Sequence, residues 1–428
     1  MSLQEEAVGL LQQLLRLNTV NPPGNETIAA ELLRDYLEAN GVEVALYART
    51  PERANLVARV KGGDGPSLCF LSHTDTVVAD PAEWSRDPWS GDLAENHVWG
   101  RGALDMKNQV AASAVAIASL AREGFTPPGD LIFVAAADEE VGDNYGLQWL
   151  CEHHPDAVRV DYAINEGGGE RIEFGGSAFY LCATAEKMSS PFRVTVHGRS
   201  GHASMPGIAD NALVKAAPLI EKLAAYRPEP SIGPEVAGFL DAVLGEQPPA
   251  DEVLERLRAL DPLAAETIEP LLAFTLSPTM IEASERRNVI PGTVELTVDR
   301  RLLPGQTPED VDPIVRSILG DGGHYELETI ERFGGTRSAL DTPLWDAIAA
   351  WVGEVEPGAK LAPLCCAGFT DSHWLREAFG TVAYGFFPLR TMEIEVASRL
   401  IHSADERTHV DDLGLGVEFL RAAARSLA

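Results

Sequence analysis

Basic residues are scarce in this chain. Its 428 residues carry 34 lysines and arginines against 65 aspartates and glutamates, a net charge of −31. Nucleic-acid phosphates and anionic membrane surfaces both recruit clustered Lys and Arg. The balance therefore argues against a nucleic-acid partner and against a membrane surface. Cysteine is sparse too. Cys69, Cys151, Cys182, Cys365 and Cys366 make an odd count without a CxxC spacing. No disulfide framework follows from that, and adjacent Cys365 and Cys366 are badly placed to bond each other. A reduced, cytoplasmic protein is the simplest expectation. No apolar run is long enough to span a bilayer. The opening MSLQEEAVGLLQQLLRL has Glu5 and Glu6 where a signal peptide would be basic. A P-loop and a complete GxGxxG are also missing, which speaks against a nucleotide-dependent α/β enzyme.

What is present is ordinary for a folded protein: 45% hydrophobic and 23% charged residues. The length favours two or three domains. The pattern predicts helices over 3–17 and roughly 26–40, separated by the breaker NTVNPPGNET. Short β-rich runs follow at VEVALY, ANLVARV and SLCFLSH. A helix rich in small residues runs from about Met106 to Glu123. LIFVAAAD reads as a buried strand, and DYAIN as another that ends at Glu166. From near Pro191 the pattern changes: strand FRVTVHG, helix ADNALVKAAPLIEKLAAY, strand TVELTVDRRL, helix PEDVDPIVRSILG, strand HYELETIER. That order suggests a small α+β domain of the split βαβ type. A Pro-rich, partly helical insertion occupies 227–274. After about Gly335 the α/β pattern resumes, with a helix from Pro343 to Val355, a loop at CCAGFTDSHW and a last helix after His409. An α/β domain at 1–189 and 335–428 is thus interrupted by a smaller one at 190–334.

Several polar clusters stand at the ends of these elements. In LCFLSHTDTV, Asp75 follows His73 by two residues and shares its face. It can fix the histidine's tautomer, as a metal-bound histidine requires. A satisfied histidine beside a capping Asp would leave the same trace. In VWGRGALDMKN, Asp105 opens the small-residue helix as a carboxylate aimed at cations or as an N-cap. Asp138-Glu139-Glu140 ends a buried strand. Three desolvated acids there call for a compensator such as a divalent metal, unless they form a solvated turn. Glu166 ends DYAIN, with a glycine run behind it that would leave room for substrate or metal. His402 lies far down the chain in SRLIHSADE. Together His73, Asp105, Glu140, Glu166 and His402 make a mixed N/O donor set suited to zinc or a similar ion. Five ligands exceed one tetrahedral zinc and suit two metals sharing a carboxylate.

Over nearly its whole length the chain resembles the M20 metallopeptidases and amidohydrolases. That group includes aminoacylase-1, glutamate carboxypeptidase, carnosinase-type dipeptidases, acetylornithine deacetylase and succinyl-diaminopimelate desuccinylase. The motifs HTDT, GRGALDMK and the Glu139-Glu140 pair occur in family order. The resemblance implies a zinc-exopeptidase-like catalytic domain with a mixed central sheet, and a lid that also dimerises. It makes His73 and Glu166 ligands of one metal and Glu140 and His402 ligands of the other. Asp105 bridges them and precedes a cis peptide bond to Met106. Glu139 is the general base and Asp75 the partner of His73. In GRSGHASMP, His202 matches a histidine that reaches an active site, usually the partner subunit's, and helps hold the oxyanion. RNVIPG places Asn288 at a substrate contact, and VDRRLLPG places Arg301 where an arginine takes the substrate's carboxylate. GFTDSHW resembles the family's GGTDA loop, giving Thr370 a substrate contact, with Phe369 in place of the second glycine.

The implied function is metal-dependent hydrolysis of an amide next to a free carboxylate, in a dipeptide or an N-acyl amino acid. Two divalent ions, Zn2+ first and Co2+ or Mn2+ as alternatives, activate a bridging water for Glu139. A biosynthetic deacylase of acetylornithine or succinyl-diaminopimelate type is the alternative. A non-catalytic binding protein on the same scaffold is a remoter one, because the base and all five ligands are present. A homodimer through the lid is also implied.

Overall fold

The structure is a computed structural model that describes residues 1–320 and 323–427. Two compact units separate in it. The first comprises Met1–Thr184, Ser338–Leu364 and Thr370–Ala428; the second comprises Ala185–Arg337 and Cys365–Phe369. Among the described residues no helix is long and apolar enough to cross a membrane.

The first unit is built on a mixed sheet of nine strands. Eight run in the order Glu43–Ala48, Ala54–Val60, Leu131–Ala136, Leu68–His73, Tyr162–Asn165, Val382–Gly385, Ser177–Glu186, Lys360–Cys366, and Arg171–Phe174 pairs with Ser177–Glu186. The apolar runs become strands because both faces are covered. Along Leu131–Ala136, residues Leu131, Phe133 and Ala135 enter one core while Ile132, Val134 and Ala136 enter the other. Helices therefore lie on both faces, the usual layering for buried parallel strands. On one face Lys107–Arg122 packs against Leu3–Leu15 and Val410–Ser426. Its alanines and serines permit that crowding, and residues 107–120 are all buried. The first helix starts where Ser2 and Glu5 form a reciprocal capping box, at 3.2 and 2.7 Å.

The central strand Leu68–His73 runs parallel to Leu131–Ala136 on one side and to Tyr162–Asn165 on the other. The chain leaves it in one direction and then returns to its opposite flank. Such a reversal opens a crevice at the C-terminal strand ends, where α/β sheets bind their ligands. His73, Asp138–Glu140 and Glu166 all sit at those ends.

The second unit contains an antiparallel sheet. Phe192–His197 pairs with Thr293–Leu302 and with Tyr325–Thr329, and Thr275–Glu282 pairs with the far side of Thr293–Leu302. Helices Ala212–Ala225 and Pro308–Leu319 contribute Ala216, Leu219, Leu223, Val311 and Val315 to the same core as the strands. The insertion forms three helices, Pro234–Val243, Val253–Leu260 and Pro262–Ile268. Lys187 ties its end down, donating from Nζ to Pro270 O at 2.7 Å and Ala273 O at 3.0 Å. The expected loop at CCAGFTDSHW is shorter than its sequence suggests. A strand runs to Cys366 and a helix begins at Ser372. Phe369 is held edge-on against Phe333, with ring centroids 4.8 Å apart.

Candidate metal centre

His73 is the last residue of its strand and is 1% exposed. Its Nδ1 lies 3.3 Å from Asp75 Oδ1, and its Nε2 lies 3.1 Å from Asp105 Oδ1. Glu166 Oε1 is 3.7 Å from the same Nε2, and Glu139 Oε2 is 3.9 Å away. The second Asp105 oxygen, Oδ2, is 3.0 Å from His402 Nε2, whose other neighbour is Glu140 Oε2 at 3.2 Å. Asp105 does not cap its helix: Met106 takes the N-cap position. The Asp105–Met106 peptide is cis. Four segments distant in sequence, carrying His73, Glu139-Glu140, Glu166 and His402, thus gather around Asp105. Ligand atoms of His73, Glu139 and Glu166 lie within 4.8 Å of one another, as do those of His73, Asp105 and Glu140.

The electrostatics are those of a cluster short of positive charge. Burial, together with Glu166, pushes Glu139 well above the usual carboxylate range. Burial raises Glu166 to about 7. Burial raises Glu140 as well, against the pull of His402. Hydrogen bonds to Asp105 and Glu140 lift His402 to about 10. Burial opposes a proton on His73, yet Glu166, Asp105 and Asp75 outweigh it and hold the ring protonated well above its ordinary range. For Asp105 burial is overcome by the two histidines, which keep it ionised. Protons here do the neutralising that a divalent cation would otherwise do. Glu140 Oε1 is buried without a hydrogen-bond partner. Carboxylate and imidazole donors with no thiolate suit zinc, cobalt or manganese. The residues present therefore fit a metal pair.

The surrounding shell was only partly foreseen. Asp75 does more than face His73. It is fully buried and accepts the backbone N–H groups of Glu139 at 3.2 Å and Glu140 at 3.1 Å. Asn21 Nδ2 donates to it at 3.0 Å. Asp138 departs from the expected triple-acid cluster. It adopts φ 65° and turns away, pairing with Arg53 at 3.0 Å, Asn21 at 2.9 Å and the Tyr145 N–H at 3.0 Å. Arg53 also forks onto buried Glu26 at 2.6 and 2.8 Å. Asn21 had read only as part of a chain breaker, and nothing local in NPPG signals this contact. The glycine run after Glu166 is open to a ligand at most in part. Two of its three glycines are packed against backbone: a Cβ on Gly168 would lie 2.5 Å from Gly385 O and one on Gly169 (φ 112°) 1.9 Å from Phe387 O. Gly168 and Gly169 serve close backbone packing.

Thr370 belongs to the first unit, is buried, and accepts the His373 N–H at 3.1 Å through its carbonyl. His373 beside it is buried and pushed down to about 4 by that burial. The other expected residues lie on the second unit. His202 and Asn288 meet on a two-stranded ribbon, where His202 pairs with Val289 and the Ala203 N–H donates to Asn288 O at 3.0 Å. His202 is exposed, and its Nδ1 accepts the Ser204 backbone N–H at 3.2 Å. A backbone N–H can only donate, so a neutral His202 carries its proton on Nε2. Arg301 forks onto Asp299 at 3.0 and 3.1 Å within its own strand.

The family model described as peptidase family M20/M25/M40 matches residues 69–426. An N-fatty-acyl-amino acid synthase/hydrolase of Xenopus tropicalis is 28% identical, over 84% of this chain and 73% of its own length. Aminoacylase-1 of Sus scrofa is 26% identical, over 99% of this chain and 96% of its own. A succinyl-diaminopimelate desuccinylase of Parvibaculum lavamentivorans is 27% identical, over 85% and 80%. Among solved structures, an M20 family metallo-carboxypeptidase from Sulfolobus solfataricus superposes with a TM-score of 0.75 at 17% identity, covering 99% of both chains.

Proposed function

The chain belongs to peptidase family M20/M25/M40, and from that premise we propose that it hydrolyses an amide bond next to a free carboxylate, in an N-acyl amino acid or a dipeptide. The proposal includes two divalent ions, zinc first among them. One observation carries it. The two oxygens of Asp105 meet different histidines, at 3.1 and 3.0 Å. Glu166 stands beside the first and Glu140 beside the second, the donor arrangement of two ions sharing one carboxylate. When bound, such a pair polarises a carbonyl and lowers the pKa of water.

The chain's own groups do the rest. Asp75 holds His73 through Nδ1, leaving Nε2 toward the centre. Glu139 takes the proton of the attacking water and returns it to the leaving nitrogen. His202 donates from Nε2 to the carbonyl oxygen as it becomes anionic. Arg301 and Asn288 hold the substrate's carboxylate, and Thr370 adds a contact from its loop. A homodimer through the second unit goes with this role for His202. The exposed apolar residues Val214, Met280 and Ile281 on that unit support it.

The N-acyl amino acid class comes first because two of the relatives are named for acyl amino acids. A deacylase of succinyl-diaminopimelate or acetylornithine type is the second reading, favoured by the desuccinylase relative. The test is a hydrolysis panel with zinc- or cobalt-loaded protein and the Glu139→Ala variant as blank. It takes dipeptides, N-acetyl amino acids, N-acetylornithine and succinyl-diaminopimelate. Cleavage of one class fixes the branch. Silence with no metal bound would overturn the proposal in favour of a binding protein.

A further inference from the structure

We propose that Glu406 is a positioning residue that holds the loops bearing Asp105 and His402 in one frame, and so sets how tightly the second metal ion is held. The inference rests on the metal-dependent reading above.

Glu406 is 0% exposed. Its Oε2 accepts from Arg101 Nη1 at 2.5 Å and from the Gly102 N–H at 3.1 Å. Its Oε1 accepts from the N–H groups of Leu104 at 2.7 Å and Asp105 at 3.1 Å. Four donors occupy both oxygens, close to a carboxylate's full capacity. Three of them are backbone amides of the segment that presents Asp105. The backbone is stitched as well. The Gly100 N–H donates to Glu406 O at 3.0 Å, and Arg101 Nη2 donates to Ser403 O at 3.1 Å. Immediately after, Arg407–His409 pairs antiparallel with His97–Trp99.

His402 needs this frame more than the other ligands do. It follows a helix that ends at Leu400, adopts φ 59°, and its side chain is 51% exposed. Little packing of its own fixes it. His73 and Glu166, by contrast, sit at the end of buried strands that Glu406 does not touch. Loosening the frame should therefore weaken the ion at Glu140 and His402 more than the ion at His73 and Glu166.

Glu406→Gln keeps the size but turns an NH2 toward converging donors. Zinc affinities of wild type and variant would be measured by competition with a chromophoric chelator, with cobalt absorption reporting occupancy and melting of the metal-free forms reporting the fold. The expected result is two ions in the wild type, the weaker one loosened about 10–100-fold in the variant, in line with supporting residues elsewhere, and the tighter one by a smaller factor. Equal loss at both sites, or none, overturns the proposal. A wild type that binds no divalent ion overturns the metal-dependent reading and this inference with it. One measurement needs no variant. In metal-free wild type, hydrogen exchange at Leu104 and Asp105 should be slowed, and free exchange there also overturns the proposal.

Discussion

Replacing Asp75 by asparagine should disable the site while leaving the sheet in place. Asp75 accepts from four directions: the Glu139 and Glu140 amides, Asn21 Nδ2 and the Nδ1 of His73, all within 3.3 Å. An asparagine of the same shape has one accepting oxygen and one donating nitrogen. Whichever way the amide turns, its NH2 faces a donor. If it faces the backbone, the turn carrying Glu139 and Glu140 loses its anchor. If it faces His73, the ring loses the carboxylate beside Nδ1 and keeps only the Asp75 carbonyl at 3.2 Å. A buried N–H left unpaired costs about 1–3 kcal/mol, and a hydrogen bond to a charged group is worth about 1.5–3 kcal/mol. With partial relaxation the loss is about 2–4 kcal/mol, roughly 30- to 1,000-fold in kcat/KM at about 1.4 kcal/mol per decade. The assay is kcat/KM on the best panel substrate, alongside metal content after dialysis and melting of the metal-free protein. Wild-type kcat/KM with normal metal content would refute the anchoring role. So would a loss of activity that merely tracks unfolding of the metal-free chain.

Glu139→Ala should keep both metals and lower kcat by about 10²–10⁴-fold, the usual worth of a general base; retained turnover sinks that role. His73→Ala should instead lower metal content, read by elemental analysis of dialysed protein, and an unchanged metal-to-protein ratio would remove His73 from the ligand set. A third prediction concerns the second unit. Burial pushes Lys187 down to about 8 from the ordinary lysine value of 10.5. Between those values the unfolded chain binds the extra proton, so stability should rise with pH across that window and level off above it. Lys187→Met should abolish the slope. Denaturant midpoints taken below, within and above the window check this, and a flat wild-type profile refutes it.

The strand-end positions of His73, Glu139 and Glu166 were legible because continuous apolar runs stop abruptly at charged residues. The helix over Pro343–Val355 was equally legible, since Thr342 caps it and Pro343 opens it. The strand Thr275–Glu282 was not. Its sequence contains Pro278, and the strand is an edge with a bulge between Pro278 and Met280, the setting in which proline is tolerated. Lys360–Cys366, with Pro363, ends the order of the large sheet for the same reason. The hydrogen-bonded shell was also hidden. Asn21 reaches Asp75 across 54 residues and Asp138 across 117, and Glu406 reaches Asp105 across 301. No local period encodes such contacts. The Asp138-Glu139-Glu140 cluster was misread because a left-handed residue sends its first acid the other way.

That division of the acids also bears on what the site is for. Several buried carboxylates outside the centre have partners of their own, although Asp371 Oδ2 and Glu170 Oε2 are buried without a hydrogen-bond partner. Glu26 and Asp138 share Arg53, Glu406 has Arg101, and Glu235 has Arg337. Asp412 takes the N–H groups of Arg390, Thr391 and Met392. Around His73 and His402 the pattern differs. Asp75, Asp105, Glu139, Glu140 and Glu166 are five carboxylates, and the ion pairs they form are with those two imidazoles. Even with both rings protonated the cluster is three charges short of neutral. Burial, together with that deficit, raises the proton affinity of Glu139 and Glu166. Two divalent ions reduce it to one with both rings neutral, which frees the histidines to act as donors. A chain selected only for stability would gain by replacing such a cluster with paired or apolar groups, since unpaired buried charge is strongly destabilising. Its concentration at the carboxyl ends of three adjacent strands is therefore an argument for cation-dependent chemistry there, and the chain's large negative charge is the background that would keep cations near it.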